Sequence, residues 1–138
     1  MGNEIKNKAR LTEKEFLESY NPNEYEKPSV TVDTLIFTID EKVSKNYRKL
    51  PEKELKLLLI KRGEHPYIDK WAIPGGFVGI NESMDDAAKR ELFEETGVDN
   101  IYLEQLFTWG EVDRDPRMRI ISTSYMALVD KKSLNIKA

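Results

Sequence analysis

Apolar and polar positions change period several times along the chain, and each change marks an element. Val30 to Ile39, VTVDTLIFTI, is β-branched and mostly apolar, the composition of a buried strand. DEKVSKNYRKLPEKE follows as a charged hairpin-like loop, and LKLLLI, residues 55–60, predicts a second strand with Lys61 and Arg62 at its end. GEHPYIDKW is a loop, and AIPGGFV a short strand broken by Pro74 and two glycines. The period then becomes helical over residues 83–96, with Ser83 as N-cap, Asp86 to complete a capping box and Gly97 at the C-terminal cap. IYLEQLFTW and RIISTSYMALV predict two more strands across the polar turn GEVDRDPRM.

Residues 1–29 precede these elements as an arm. Thr12 and Glu15 have capping-box spacing for a short helix over 13–20, and Asn21-Pro22 ends it. The arm reads equally well as a mobile tail or as a partner-contacting segment. The order β-β-β-α-β-β then predicts one mixed α/β (α+β) domain over residues 30–138. A sheet with one helix has one face bare, so a second subunit or further chain is expected to cover it.

Composition narrows the chemistry. The 138 residues suit one domain with a modest core, and a net charge of −3 argues against a general nucleic-acid binder. There is no cysteine and one histidine, which removes disulfides, thiolate sites and multi-histidine sites. Any metal must be held by oxygen, which points to Mg²⁺, Mn²⁺ or Ca²⁺. No apolar run is long enough to span a bilayer, and MGNEIKNKAR lacks a signal-peptide core, so a cytoplasmic protein without membrane partners is expected.

The helix over 83–96 carries the sharpest signal. Asp85 and Asp86 sit in its first turn, where the macrodipole favours them. Glu91, Glu94 and Glu95 sit in the last turns, where it does not. At 100° per residue, Met84, Ala87, Ala88 and Leu92 form an apolar stripe; Glu91 and Glu95 project into its middle and Glu94 onto its edge. Glu91 and Glu95 are also like charges at i,i+4. Ionised carboxylates in a packing stripe cost several kcal/mol unless something compensates them. A divalent cation does so; a salt-bridge network through Arg90, to Glu82 or Glu94, is the competing account.

The spacing adds a resemblance. Gly76, five residues, Glu82, seven residues, then Arg90-Glu91-Leu92-Phe93-Glu94-Glu95-Thr96-Gly97-Val98 resembles without mismatch the signature of the Nudix hydrolases, G-x5-E-x7-R-E-U-x-E-E-x-G-U with U bulky and apolar. The WAIPGG before it resembles the usual entry to that box, and the similarity extends from about Val30 to Val129. It implies a Nudix-type mixed β-sheet with the catalytic helix packed on it. It also implies hydrolysis of a nucleoside diphosphate linked to another moiety, with Mg²⁺ or alternatively Mn²⁺ as cofactor. By position, Glu91, Glu94 and Glu95 match the metal-binding glutamates and Glu82 an accessory acid. Arg90 matches the arginine that orients the glutamates, and Gly75 and Gly76 the loop whose carbonyl completes the coordination. The general base is left open between a glutamate of the box and a loop acid: Glu111, Asp113 or Asp115, which turn chemistry also explains.

The arm YNPNEYEKPSVTVDTLIFT and the loop DRDPRMRIIS resemble a bacterial subfamily of ADP-ribose pyrophosphatases and ADP-ribose-sensing transcriptional repressors. That likeness implies ADP-ribose as substrate, split to AMP and ribose 5-phosphate, or a sensing role in which nucleic acid is a partner only through a winged-helix domain not in this chain. The family's final strand and helix after Val129 are not in it either, so its end at Ala138 is expected to be a truncation. Pro116 lies slightly beyond the position of the subfamily's marker proline, which weakens the substrate assignment and not the family. Arg62, Arg114, Arg117 and Arg119 are the candidate substrate-binding cations; the last three read also as surface charge balanced by Asp113 and Asp115. Tyr67, Trp71 and Trp109 could stack on a base or simply pack. His65 is assigned no role. A nucleotide-sugar or dinucleotide substrate and a homodimer complete the expectations.

Overall fold

The computed structural model describes residues 4–42, 50 and 52–134. Its central strand is β1, Ser29–Lys42. β-Branched residues favour the extended backbone, and successive side chains point to opposite faces. Val32, Thr34, Ile36 and Thr38 are accordingly buried on one face, while Thr31, Asp33, Leu35 and Phe37 are half-buried on the other. β1 pairs in parallel with β7, Ile120–Leu128, and β7 pairs antiparallel with β6, Glu104–Trp109. The other edge of β1 is shared. Its first half takes β5, Gly75–Phe77, and its second half takes β2, Glu52–Leu57, both antiparallel. A separate two-stranded ribbon joins β3, Ile60–Lys61, to β4, Trp71–Ala72.

Two α-helices and two single-turn 3-10 helices, Pro22–Glu24 and Lys131–Ser133, accompany the sheet among the described residues. α1, Glu13–Ser19, has the capping box of Thr12 and Glu15 and buries no residue. α2, Met84–Thr96, starts at Ser83, whose Oγ accepts from Asp86 N at 3.1 Å, and ends at Gly97 in the left-handed region, φ 73°. Ala87, Ala88 and Leu92 of α2 pack on Val32, Ile36, Tyr125 and Ala127, which makes the core and fixes the helix against one face of the sheet. The mixed sheet with a helix packed on it is the predicted class. On the opposite face Ile39, Leu55, Leu57, Phe107, Trp109 and Leu128 remain exposed, while Ser122 and Ser124 of the same face are buried.

Four elements differ from expectation. The stretch AIPGGFV is not one strand: Ala72 belongs to β4 and Gly75–Phe77 to β5, with Ile73 and Pro74 in neither. The strand predicted at 55–60 lies at Glu52–Leu57, with Leu58 and Leu59 outside it and Ile60 opening β3. Charged residues from both ends of the expected loop pair across β1 and β2, with Glu41 opposite Lys53 and Lys42 opposite Glu52. Opposite charges facing each other stabilise an exposed ladder. The middle of that loop, 43–49 and 51, lies outside the described residues. Finally, β6 begins at Glu104 rather than at residue 101, because Ile101 and Leu103 turn inward to the core beside α2.

Candidate active site

α2 and β5 meet at Gly76. A Cβ there would collide with Oε1 of Glu91 and lie 2.9 Å from its Cδ, so glycine is what lets the strand lie against the carboxylate. Glu91 is buried, Glu95 half-buried and Glu94 exposed, the order the helical projection predicts. Arg90 ties the acids together. Its Nε and Nη2 donate to Glu82 at 3.1 and 2.8 Å, and its Nη1 to Glu91 at 3.0 Å and to Glu94 at 3.4 Å. Nη2 also donates to the carbonyl of Phe77 in β5 at 3.1 Å. Glu82 in turn accepts from Gly79 N at 2.8 Å. One guanidinium thus fixes the loop before the helix, the strand and two helix acids in a single frame.

The charges differ by environment. Arg90 and the Gly79 amide hold the Glu82 carboxyl down to about 2. Burial pushes Glu91 up, against the opposing pull of Arg90. Burial also raises Glu95, and the charges of Glu91 and Glu94 raise it further. Two acids held above their ordinary range beside each other are short of positive charge. Their oxygens suit a hard divalent ion in donor type and charge. As the side chains stand, no three ligating groups are clustered as an ion site among the described residues. Arg90 occupies the space between Glu82, Glu91 and Glu94, so closing the acids on one ion requires the exposed Glu94 or the half-buried Glu95 to turn inward.

Beside Gly75 and Gly76 lies a cleft of about 690 Å³. Thr31, Asp33, Ser122, Gly75 and Phe77 line it, which places it on the sheet face opposite α2. It brings together Arg62, Arg114 and Arg117 of the candidate cations and adds Lys70. Arg62 is held by donating Nε to the Pro66 carbonyl at 2.6 Å. Arg117 forks onto Asp115, at 3.0 and 2.9 Å, and lies over the Phe77 ring at 5.4 Å. That pairing holds Asp115 down to about 2. Arg119 is not in the lining and donates to the Gly110 carbonyl at 2.7 Å. Glu111 is exposed and likewise outside the lining. Tyr67 and Trp71 line the cleft at 65 % and 68 % exposure, so neither is core packing; Trp109 stays on β6, against Phe107 and bonded to Ser124.

Sequence reasoning missed Asp33. It stands in β1 at the cleft floor, accepts from Ser122 Oγ at 2.6 Å, and is raised by burial. A carboxylate interrupting an otherwise β-branched, apolar strand was the signal available for it. Lys70 was also missed, and its loop position gave no comparable signal.

A family model described as NUDIX domain matches residues 48–137. The chain is 36 % identical over 124 residues to an ADPR responsive transcriptional repressor, NtrR, of Acinetobacter baylyi, covering 88 % of this chain and 45 % of that protein. It is 36 % identical over 102 residues to an ADP-ribose pyrophosphatase of Methanocaldococcus jannaschii, covering 74 % and 52 %. The chain therefore spans about half the length of these curated relatives. Among solved structures, the NUDIX domain of Shewanella oneidensis NrtR complexed with ADP ribose superposes with a TM-score of 0.72 at 33 % identity, over 93 % of this chain and 77 % of that one.

Proposed function

The chain belongs to the Nudix family, and on that premise we propose that it hydrolyses the pyrophosphate bond of a nucleoside diphosphate linked to another moiety, with a divalent metal ion. ADP-ribose is the proposed substrate, giving AMP and ribose 5-phosphate. The observation that carries this reading is the buried Glu91 carboxyl, seated against Gly76, bonded to Arg90 and raised by burial beside a second raised acid. Glu91, Glu94 and Glu95, with a carbonyl of Gly75 or Gly76, would hold Mg²⁺ or Mn²⁺. Bound there, such an ion neutralises diphosphate charge and lowers the pKa of a water. Arg90 orients the carboxylates from behind, and Glu82 keeps Arg90 charged and in place. Arg62, Arg114 and Arg117 would position the anionic part of the substrate, with Tyr67 and Trp71 flanking it.

The test is a panel of ADP-ribose, NADH, dinucleoside polyphosphates and modified nucleoside triphosphates, each with Mg²⁺. Turnover of ADP-ribose above the others supports the reading, and folded protein that turns over none of them overturns it.

A second reading, an ADP-ribose-sensing regulatory domain, is supported by the likeness to NtrR over most of this chain. ADP-ribose binding with negligible hydrolysis, together with a winged-helix segment in the full reading frame, would favour it over the first. The exposed apolar side chains on the sheet face opposite α2 support a homodimer, and sedimentation as a monomer at all concentrations would count against that assembly.

A further inference from the structure

The cleft floor holds a carboxylate among cations. Arg62, Lys70, Arg114 and Arg117 line the cleft, yet Asp33 lies between β5 and β7 at its base. A pocket for a bare phosphate or pyrophosphate has no use for that charge, which repels the anion the arginines attract. Asp115, the other acid in the lining, is already claimed by the two-bond fork of Arg117. Asp33 has no such fork: the Arg114 charge acts on it, but no cation bonds to it among the described residues. Its Oδ2 accepts from Ser122 Oγ, and its Oδ1 accepts no hydrogen bond from a described residue. Ser122 is 1 % exposed and spends its only proton on Asp33, so its remaining lone pairs can only accept. Glycine at 75 keeps the approach to Oδ1 open, since a Cβ there would collide with it.

The floor therefore presents the open Asp33 Oδ1 as an acceptor beside Ser122, with the Thr31 hydroxyl next to them. We infer that Asp33, positioned by Ser122, is a specificity-determining residue that accepts hydrogen bonds from a paired donor on the neutral part of a nucleotide ligand. Two groups have that chemistry: the vicinal hydroxyls of a ribose, and the exocyclic amine of the base. The inference rests on the proposed nucleoside diphosphate reading and adds which part of the ligand the cleft reads. A site built to bond a donor rejects the analogue that lacks it, because its own buried acceptor is then left unpaired.

The test is calorimetric binding to the native protein and to Asp33→Asn, first in EDTA and then with Ca²⁺. The probes are ADP-ribose, its 2′,3′-dideoxyadenosine analogue, inosine diphosphate ribose, and ADP, which lacks the terminal ribose. Asp33→Asn keeps the shape and replaces one acceptor oxygen by a donor. One bond to a charged group lost corresponds to roughly 10- to 100-fold weaker ADP-ribose binding. The probe lacking the recognised donors should bind native protein weakly and be nearly indifferent to the substitution, which identifies ribose or base as the source. Ser122→Ala is the second variant, expected to weaken the same ligands by a smaller factor. Equal loss for all four probes, or no loss for ADP-ribose, overturns the inference while native binding leaves the broader reading standing. Native protein that binds none of the probes overturns both.

Discussion

Gly76→Ala puts the architecture of the site under the most direct strain. The new Cβ would overlap Glu91 Oε1 and stand 2.9 Å from Cδ and 3.4 Å from Oε2. Neither backbone can retreat easily, because Gly76 is paired to Val32 in the sheet and Glu91 rides on a helix packed against that same sheet. The Glu91 side chain must turn away, which breaks its 3.0 Å bond from Arg90. A hydrogen bond to a charged group contributes about 1.5–3 kcal/mol. The Arg90 side chain is 37 % exposed, so solvent screening reduces this to about 1–2 kcal/mol. For a chain of this size that lowers Tm by about 3–10 °C. Displacing a positioned carboxylate by about 1 Å should also cut the rate about 100-fold. The assay is a thermal melt beside the initial rate of AMP release from ADP-ribose. A double-mutant cycle with Glu91→Ala isolates the cause, since without the carboxylate Gly76→Ala should cost under about 0.5 kcal/mol. An equal cost in both backgrounds, or native melt and rate in the single variant, refutes the reasoning.

Other outcomes follow from the same frame. Glu95→Gln should lower turnover by about 100-fold or more, since even indirect support of a metal ligand accounts for 10–100-fold, with an unchanged circular dichroism spectrum; full activity would remove Glu95 from the site. Glu91 and Glu95 are raised in the folded state, so the fold binds more protons than the unfolded chain there, and stability falls as pH rises from about 4.5 through the raised values. A divalent ion favours the ionised acids, so Mg²⁺ at about 100 times its Kd should add about 2.7 kcal/mol near neutral pH and much less near pH 4; melts showing equal shifts at both would contradict this. Glu82 has the opposite sign: held down to about 2, it contributes stability above the ordinary 4.5 that is lost as pH falls towards 2, and Arg90→Ala should abolish that part of the acid titration of the melt. Gly97→Ala forces a side chain into φ 73° and should cost about 1 kcal/mol; an unchanged melt would discount the cap.

Helix α2 was legible because its information is local. Ser83 and Gly97 mark its ends, and the misplaced position of Glu91 and Glu95 in the apolar stripe shows in a projection that needs no tertiary contact. The role of Gly76 against Glu91 was legible only as spacing, since the collision that requires glycine is between residues brought together by β5 and α2. The cleft was legible in its cations Arg62, Arg114 and Arg117 and illegible in its floor. Asp33 acquires meaning from Ser122, which is 89 positions away in sequence and reaches it only through the parallel pairing of β1 with β7. Tyr67 and Trp71 have the composition of core residues, and only the exposed β3–β4 ribbon makes them cleft walls. The misplaced boundary of β2 has a different origin. The leucine run at 55–60 outweighed the weaker alternation of charges before it, although those charges form the cross-strand pairs.

The central claim is that the helix glutamates work through a divalent ion on a diphosphate. Its most direct test is the product analysis of ADP-ribose incubated with the folded protein, with Mg²⁺ and again with excess EDTA. The account predicts AMP and ribose 5-phosphate in equal amounts with Mg²⁺, and none with EDTA. Intact ADP-ribose in both, or AMP release that EDTA does not touch, would contradict it.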